Sequence, residues 1–425
     1  KTLHDNENGM LHHVGQRLYN YFSVPSNILF FVLTLLYLLP IWSIQFFPTQ
    51  DGPSHVYNSF ILKEYFNTTQ YPLLQQYYDL NLQPMPNWFG HLVIASLMFI
   101  VDPLIAEKIM LSGYVILFLY AGRFLIIGVG RGSFLLDKSQ YLFFSEISTN
   151  SLPLLLFPFV YNYLLHMGFY NFSYSVGFCL LAVGYWWDNH QKLGYKQAIV
   201  FNLIMVCCYF SHMVSTVITL IVVSILWLLT FRLSNLKKHL WQIPMLLPSC
   251  ALPIWFILSH GTKSNHVHWP IHRLYEYVSN LEILFSFTTF QLKLGKILSA
   301  CFLLLLILTL LNLASSFWKK RHLSFQYKDS FFLISLVCIV LYVLVPDGMS
   351  GGGFISHRLS LYPFLFLIPF FQLPKYKLTR WVVFSVLILI ALINFGYMIN
   401  LYPKLDKDMR EFRSGLHKIS PNSRV

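Results

Sequence analysis

The hydrophobic positions of this chain fall into long runs separated by short polar breaks, not into the alternating patterns of a soluble fold. Apolar segments cover roughly 27–47, 109–127, 152–166, 171–187, 197–210, 213–231, 242–259, 297–317, 331–346, 359–374 and 381–400, with a shorter run at 89–101. A helix crosses a bilayer with about 20 predominantly apolar residues. The pattern therefore predicts an all-α, polytopic membrane helix bundle with eleven spans, or twelve if 89–101 also crosses. Its organisation reads as a polar N-terminal segment (1–26), a core of about seven spans (27–259), an external loop with the C-terminal spans (260–400), and an external tail (401–425). Prolines at 40, 153, 158, 244, 248, 253, 363 and 369 predict kinked helices, which bundles tolerate where protein surrounds the freed backbone groups.

Composition narrows the class. Of 425 residues, 56% are hydrophobic and 11% charged, against about 25% charged in soluble domains. A soluble enzyme, a disordered chain and a nucleic-acid-binding domain are excluded. The formal charge of +13 has a source other than a polyanionic partner, because Lys and Arg concentrate in cytoplasmic loops. The basic runs at 232–238, 319–321 and 375–380 share the side of the N-terminus only if 89–101 does not cross. That segment is expected to be an interfacial helix, the N-terminus cytoplasmic, and the first apolar run a signal anchor. The loops 48–108, 260–296 and 347–358 then lie on the exported (periplasmic, extracellular or luminal) side, with surface helices in the first. All six cysteines lie in apolar segments and read as small core residues.

Candidate chemistry concentrates where the first span ends, in Phe47-Pro48-Thr49-Gln50-Asp51-Gly52-Pro53-Ser54-His55-Val56-Tyr57-Asn58. Helix breakers hold Asp51 at the membrane exit, ahead of an amphipathic stretch. The same carboxylate is also placed to cap the helix that starts near Pro53. Near the other end, His357-Arg358-Leu359-Ser360-Leu361-Tyr362-Pro363-Phe364 follows a Gly-rich loop at 348–353. Arg358 suits a phosphate because its planar fork donates paired hydrogen bonds and stays charged; an interface anchor is the competing reading. The Gly-rich loop lacks the Gly-Lys-Ser/Thr ending of a P-loop.

With Asp51 just after the first span, a long first external loop and the late Arg-containing run, the chain resembles the GT-C superfamily of membrane glycosyltransferases. The resemblance implies a polyprenyl- or dolichyl-phosphate-linked sugar as donor and a glycan, lipid or protein acceptor. It implies Asp51 as general base, with Arg358 and His357 on the donor phosphate. The first loop has no Asp-x-Asp pair, unlike the metal-using members, so neither metal nor other cofactor is expected.

Further substrate contacts are expected from residues that the topology brings to the exported face: His55, Tyr57, His166, Asn171, His212 and Trp269. His266, His268 and His272 have the residue type for zinc, but no matching Cys or carboxylate set accompanies them. Glu64, Asp79, Asp102 and Glu107 are the other acids of the first loop, with Asp102 the nearest substitute for Asp51. A transporter or flippase of a lipid-linked or anionic substrate is the alternative, along with a non-catalytic lipid-binding relative of the same architecture. A transporter favours internal repeats and ionisable residues at the midplane; this chain has no convincing repeat, and its ionisable residues fall mostly at span ends.

Overall fold

A computed structural model describes residues 16, 19, 22–132, 151–261, 264–265, 271–320, 326–349, 352–374 and 376–420. Its main helices are α1 (Pro25–Trp42), α2 (Gly52–Glu64), α3 (Phe89–Leu97), α4 (Pro103–Gly132), α5 (Tyr170–Asn189) and α6 (Tyr195–Ser211). They continue as α7 (Met213–Thr230), α8 (Leu236–Leu246), α9 (Pro248–His260), α10 (Thr289–Lys320), α11 (Ser330–Leu344) and α12 (Lys377–Ser414). Among the described residues, six helices are long and apolar enough to cross a membrane, and α8 with α9 form a further pair bent by 50°. The chain is an all-α, multi-pass helical bundle. Among the described residues, one small sheet pairs Ser264 with Met349 and Asn265 with Gly348, tying the segment after α9 to the one after α11.

Some of the expected spans take another form. Segment 152–166 is a 3-10 helix over Leu152–Phe159 followed by a short helix over Tyr163–His166. Pro153 and Pro158 remove backbone donors from it, and every residue from Leu152 to Phe159 is buried. Protein on all sides is the condition under which irregular backbone survives at membrane depth. Segment 359–374 is likewise broken, into Tyr362–Leu367 and Ile368–Phe370, with Pro363 and Pro369 at the starts. Helix α3 has nine residues, too few to cross. Helix α12 does not stop at 400 but continues to Ser414.

Close approach fixes the helix directions. A Cβ on Gly113 of α4 would lie 2.4 Å from the Tyr174 hydroxyl of α5, and one on Gly184 of α5 would lie 2.8 Å from the Phe124 ring of α4. Early residues thus meet early and late meet late, so α4 and α5 run parallel. Small residues at such a seam let two helices approach closely in a membrane. The return between them is 152–166, which packs along α1: Phe157 lies on Phe30 and Tyr37, and Phe47 stacks on His166. The last helix closes the bundle on the first, where the Tyr37 hydroxyl donates to the Ala391 carbonyl at 2.8 Å. Helix α5, at 20 residues, is about 30 Å long, the thickness of a hydrocarbon core. It runs from the neighbourhood of Asp51 to the opposite end of the bundle.

Candidate functional site

The chain leaves α1 and is caught at once by the turn that follows Tyr163–His166. The Gln50 amide donates to the His166 carbonyl at 2.9 Å, and the Asp51 amide donates to the Met167 carbonyl at 3.2 Å. Gly168 completes this turn with φ +85°. A Cβ there would sit 2.6 Å from the Asp51 amide nitrogen and 2.8 Å from its Cα. Gly168 is therefore required twice, for its left-handed backbone and for the contact with Asp51. Asp51 occupies the N-cap position of α2, yet its side chain makes no capping hydrogen bond. It is partly exposed.

Beneath Asp51 lies a buried polar network. The Tyr170 hydroxyl donates to Glu107 Oε1 at 2.6 Å and lies 2.9 Å from Thr49 Oγ1. Glu107 is 5% exposed. His55 stacks on the Tyr170 ring at 5.3 Å, and its Nδ1 lies 3.0 Å from His91 Nε2. His91 Nδ1 donates in turn to the Asn87 carbonyl at 3.1 Å. Burial first, and the neighbouring His91 second, push His55 down to about 4, against a weaker opposing pull from the Gly168 backbone. Burial also lowers His91. Both rings are neutral at neutral pH.

Arg358 approaches the same turn from the other side. Its guanidinium lies 4.5 Å from the Phe169 ring centroid and 5.6 Å from that of Phe172, and Nη1 donates to the Gly353 carbonyl. Phe354, with φ 58°, turns the chain into the short helix Ile355–Leu359 that carries His357 and Arg358. Burial works against the Arg358 charge, lowering it to about 10 with Asp347 opposing, which still leaves a cation at neutral pH. Among the described residues its buried Nε has no hydrogen-bond partner, a donor held without an acceptor. His357 lies between Tyr163 and Tyr277, each at 5.9 Å, and burial lowers it. A cleft of about 410 Å³ opens beside Asp51, lined by Thr49, Gln50, Tyr163, Met167, Phe287 and Asp408 among others.

The remaining expected contacts divide sharply. His166 is buried with both ring nitrogens engaged, Nδ1 with Ser286 Oγ and Nε2 with the Tyr402 hydroxyl, each at 2.8 Å. It joins the turn to α12 and has no nitrogen left to offer. Asn171 accepts from the Gly90 amide at 2.6 Å and donates to the Asn87 carbonyl at 2.9 Å, so it anchors the start of α3. His212 caps α7 through Nδ1, which accepts from the Val214 amide at 3.1 Å, and its ring packs on Phe172 at 5.4 Å beneath Arg358. Tyr57 is exposed on α2. Trp269, with His266 and His268, lies outside the described residues. Asp102 lines a separate cleft of about 580 Å³ with Phe60, Lys63 and Phe99. Among the described residues, no three His, Cys, Asp or Glu side chains are grouped to hold a metal ion.

Reading for charge alone passes over Phe169, the platform under Arg358, because one Phe among 39 carries no signal. It also passes over Asp406, which is wholly buried and accepts from the Gln45 and Phe46 amides at 3.1 and 2.7 Å. Arg410 holds its other oxygen. Comparison with protein-family models, curated proteins and solved structures returned no match.

Proposed function

We propose that the chain is a membrane glycosyltransferase of GT-C type, moving a sugar from a polyprenyl-phosphate-type donor to an acceptor hydroxyl on the exported side. One observation carries the reading: Asp51 and Arg358 flank a single turn, with the Asp51 backbone against Gly168 and the Arg358 guanidinium over Phe169. An acid and a cation set on one turn suit one substrate holding a hydroxyl nucleophile and a phosphate leaving group. In the step, Asp51 takes the proton of the acceptor hydroxyl. The acceptor oxygen bonds to the anomeric carbon as the bond from that carbon to the lipid phosphate oxygen breaks. The phosphate leaves with the electron pair, its developing charge met by Arg358. The buried, unpartnered Nε of Arg358 is a donor that a phosphate oxygen would satisfy.

His357 borders the cleft through Tyr163 and is the further candidate for the phosphate. His55 and the Thr49–Tyr170–Glu107 set support Asp51 from below and act as positioning residues. His166 and Asn171 are read as structural, given their filled hydrogen bonds. We read eleven crossings in all, since the parallel pairing of α4 with α5 calls for one intervening return, and 152–166 is the segment that lies there.

The test is reconstitution with polyprenyl-phosphate sugars, comparing wild type with Asp51→Asn and Arg358→Ala. Asp51→Asn abolishes transfer and leaves thermal unfolding unchanged, while Arg358→Ala lowers kcat with the lipid-phosphate donor. Wild-type turnover by Asp51→Asn would refute the assignment.

A further inference from the structure

A second polar cavity lies at the far end of the bundle. It has a volume of about 530 Å³ and sits where α5, α7, α8 and the segment before α11 meet. Its lining includes His190, Arg232, Asn235, Lys238, His239 and Tyr327 and, among the described residues, no carboxylate. Arg232 and Lys238 are exposed and make no ion pair among the described residues. Two cations thus share a cavity that no described carboxylate lines.

His190 is the second, independent observation. It is 8% exposed, its Nδ1 donates to the Trp187 carbonyl at 2.8 Å, and Tyr327 lies over its ring at 5.1 Å. A carbonyl only accepts, so Nδ1 carries the proton and Nε2 is bare in the neutral ring. Nε2 is buried and, among the described residues, has no partner, and an orphaned buried polar atom calls for an explanation. A phosphate group supplies what is missing. Its P–OH donates to the bare nitrogen, or its charged oxygen accepts from the ring once a proton is taken up.

The rim favours a phosphate carried by a lipid. Leu233, Leu240 and Trp241 flank the two cations and are 82%, 53% and 56% exposed. Helix α8 thus sets apolar side chains beside basic ones, the composition that lies in a headgroup layer.

We propose that the cavity bounded by His190, Arg232 and Lys238 binds a phosphate monoester, the headgroup of an acidic lipid in the leaflet opposite Asp51. The site lies one bilayer thickness from Asp51, at the other end of α5, and is independent of the transferase reading.

The test uses the purified full chain in lipid-free micelles, titrated with inorganic phosphate and, separately, with phosphatidic acid or phosphatidylcholine. Arg232→Gln combined with Lys238→Gln removes the cations at exposed positions, where folding is not at risk. Lys404→Gln combined with Lys407→Gln makes the same charge change near the Asp51 end. The wild type and the control pair bind phosphatidic acid saturably and prefer it to phosphatidylcholine. The Arg232/Lys238 pair loses about thirty-fold in affinity, at roughly five-fold per basic residue near a membrane surface. Saturable binding of inorganic phosphate that the same pair loses supports the site, and if phosphatidic acid binds no tighter, it assigns a soluble phosphate as the source. Equal loss in both pairs, or no loss in the Arg232/Lys238 pair, overturns the proposal.

Discussion

Gly168→Ala separates the two demands made on the turn that holds Asp51. The first is backbone strain: a residue with a Cβ in the left-handed region costs about 1–2 kcal/mol. The second is collision, because the new Cβ would meet the Asp51 amide nitrogen at 2.6 Å and its Cα and Cβ at 2.8 Å. Those are backbone atoms and the first side-chain atom, with no flexible end to swing aside. Overpacking of this kind costs about 1–3 kcal/mol. Gly168→Ala is therefore expected to lose about 2–5 kcal/mol in all.

Gly261 provides the control. It has φ +68° with ψ 176°, and a Cβ there meets no described atom within 4 Å, so Gly261→Ala suffers backbone strain of its own kind, about 1–3 kcal/mol, without a collision. The collision, about 1–3 kcal/mol, is what Gly168→Ala carries and Gly261→Ala lacks. It can relax only by moving Asp51 or the turn. A displacement of about 1 Å is enough to cost on the order of 100-fold in rate. Chemical unfolding in mixed micelles measures the first quantity, and single-turnover transfer from a polyprenyl-phosphate sugar measures the second. If Gly168→Ala is no less stable than Gly261→Ala and transfers at the wild-type rate, the turn does not position Asp51.

Three further outcomes follow from the same geometry. His55, with its folded pKa at about 4 against 6.5 unfolded, binds its proton more weakly in the folded state; its contribution of about 3 kcal/mol is present above pH 6.5 and lost as pH falls to 4. Unfolding measured at pH 7.5 and 4.5 reveals that loss, and His55→Gln flattens it. Asp406→Ala frees the Gln45 and Phe46 amides and Arg410 together, which costs about 3 kcal/mol and slows transfer by loosening the strand that leads to Asp51. Asn171→Leu orphans the Gly90 amide and leaves the Asn87 carbonyl to His91 alone for about 1–3 kcal/mol, raising proteolytic cleavage near 87 without changing the rate per intact molecule.

The membrane class was fully legible, because runs of apolar residues are what a bilayer selects. Helix continuity was less so. Segments 152–166 and 359–374 are as apolar as their neighbours, but the first carries two prolines and the second three, and both are largely buried by protein. Hydropathy records the absence of water and not the presence of lipid, so it cannot tell a buried irregular crossing from a regular lipid-facing one. The same limit explains 401–414, where Lys404, Asp406 and Arg410 read as a solvated tail. Asp406 is instead the inward face of a helix, discharging two free amides of α1's exit.

Histidines at the Asp51 end expose the corresponding limit for sites. His166 and Arg358 carry the same sequence signal, a polar residue at a short turn or span end, and the structure separates them by what remains to be bonded. Both nitrogens of His166 are filled, whereas Arg358 keeps a buried donor without a partner. Spacing along the chain can gather polar residues at one end of a bundle, but it cannot count their unfilled hydrogen bonds. That count shows which residues have spent their bonding capacity inside the fold and which have some left. By the same count His190, which charge patterning ignored, stands beside Arg358, and the two proposed phosphate sites rest on these groups at opposite ends of α5.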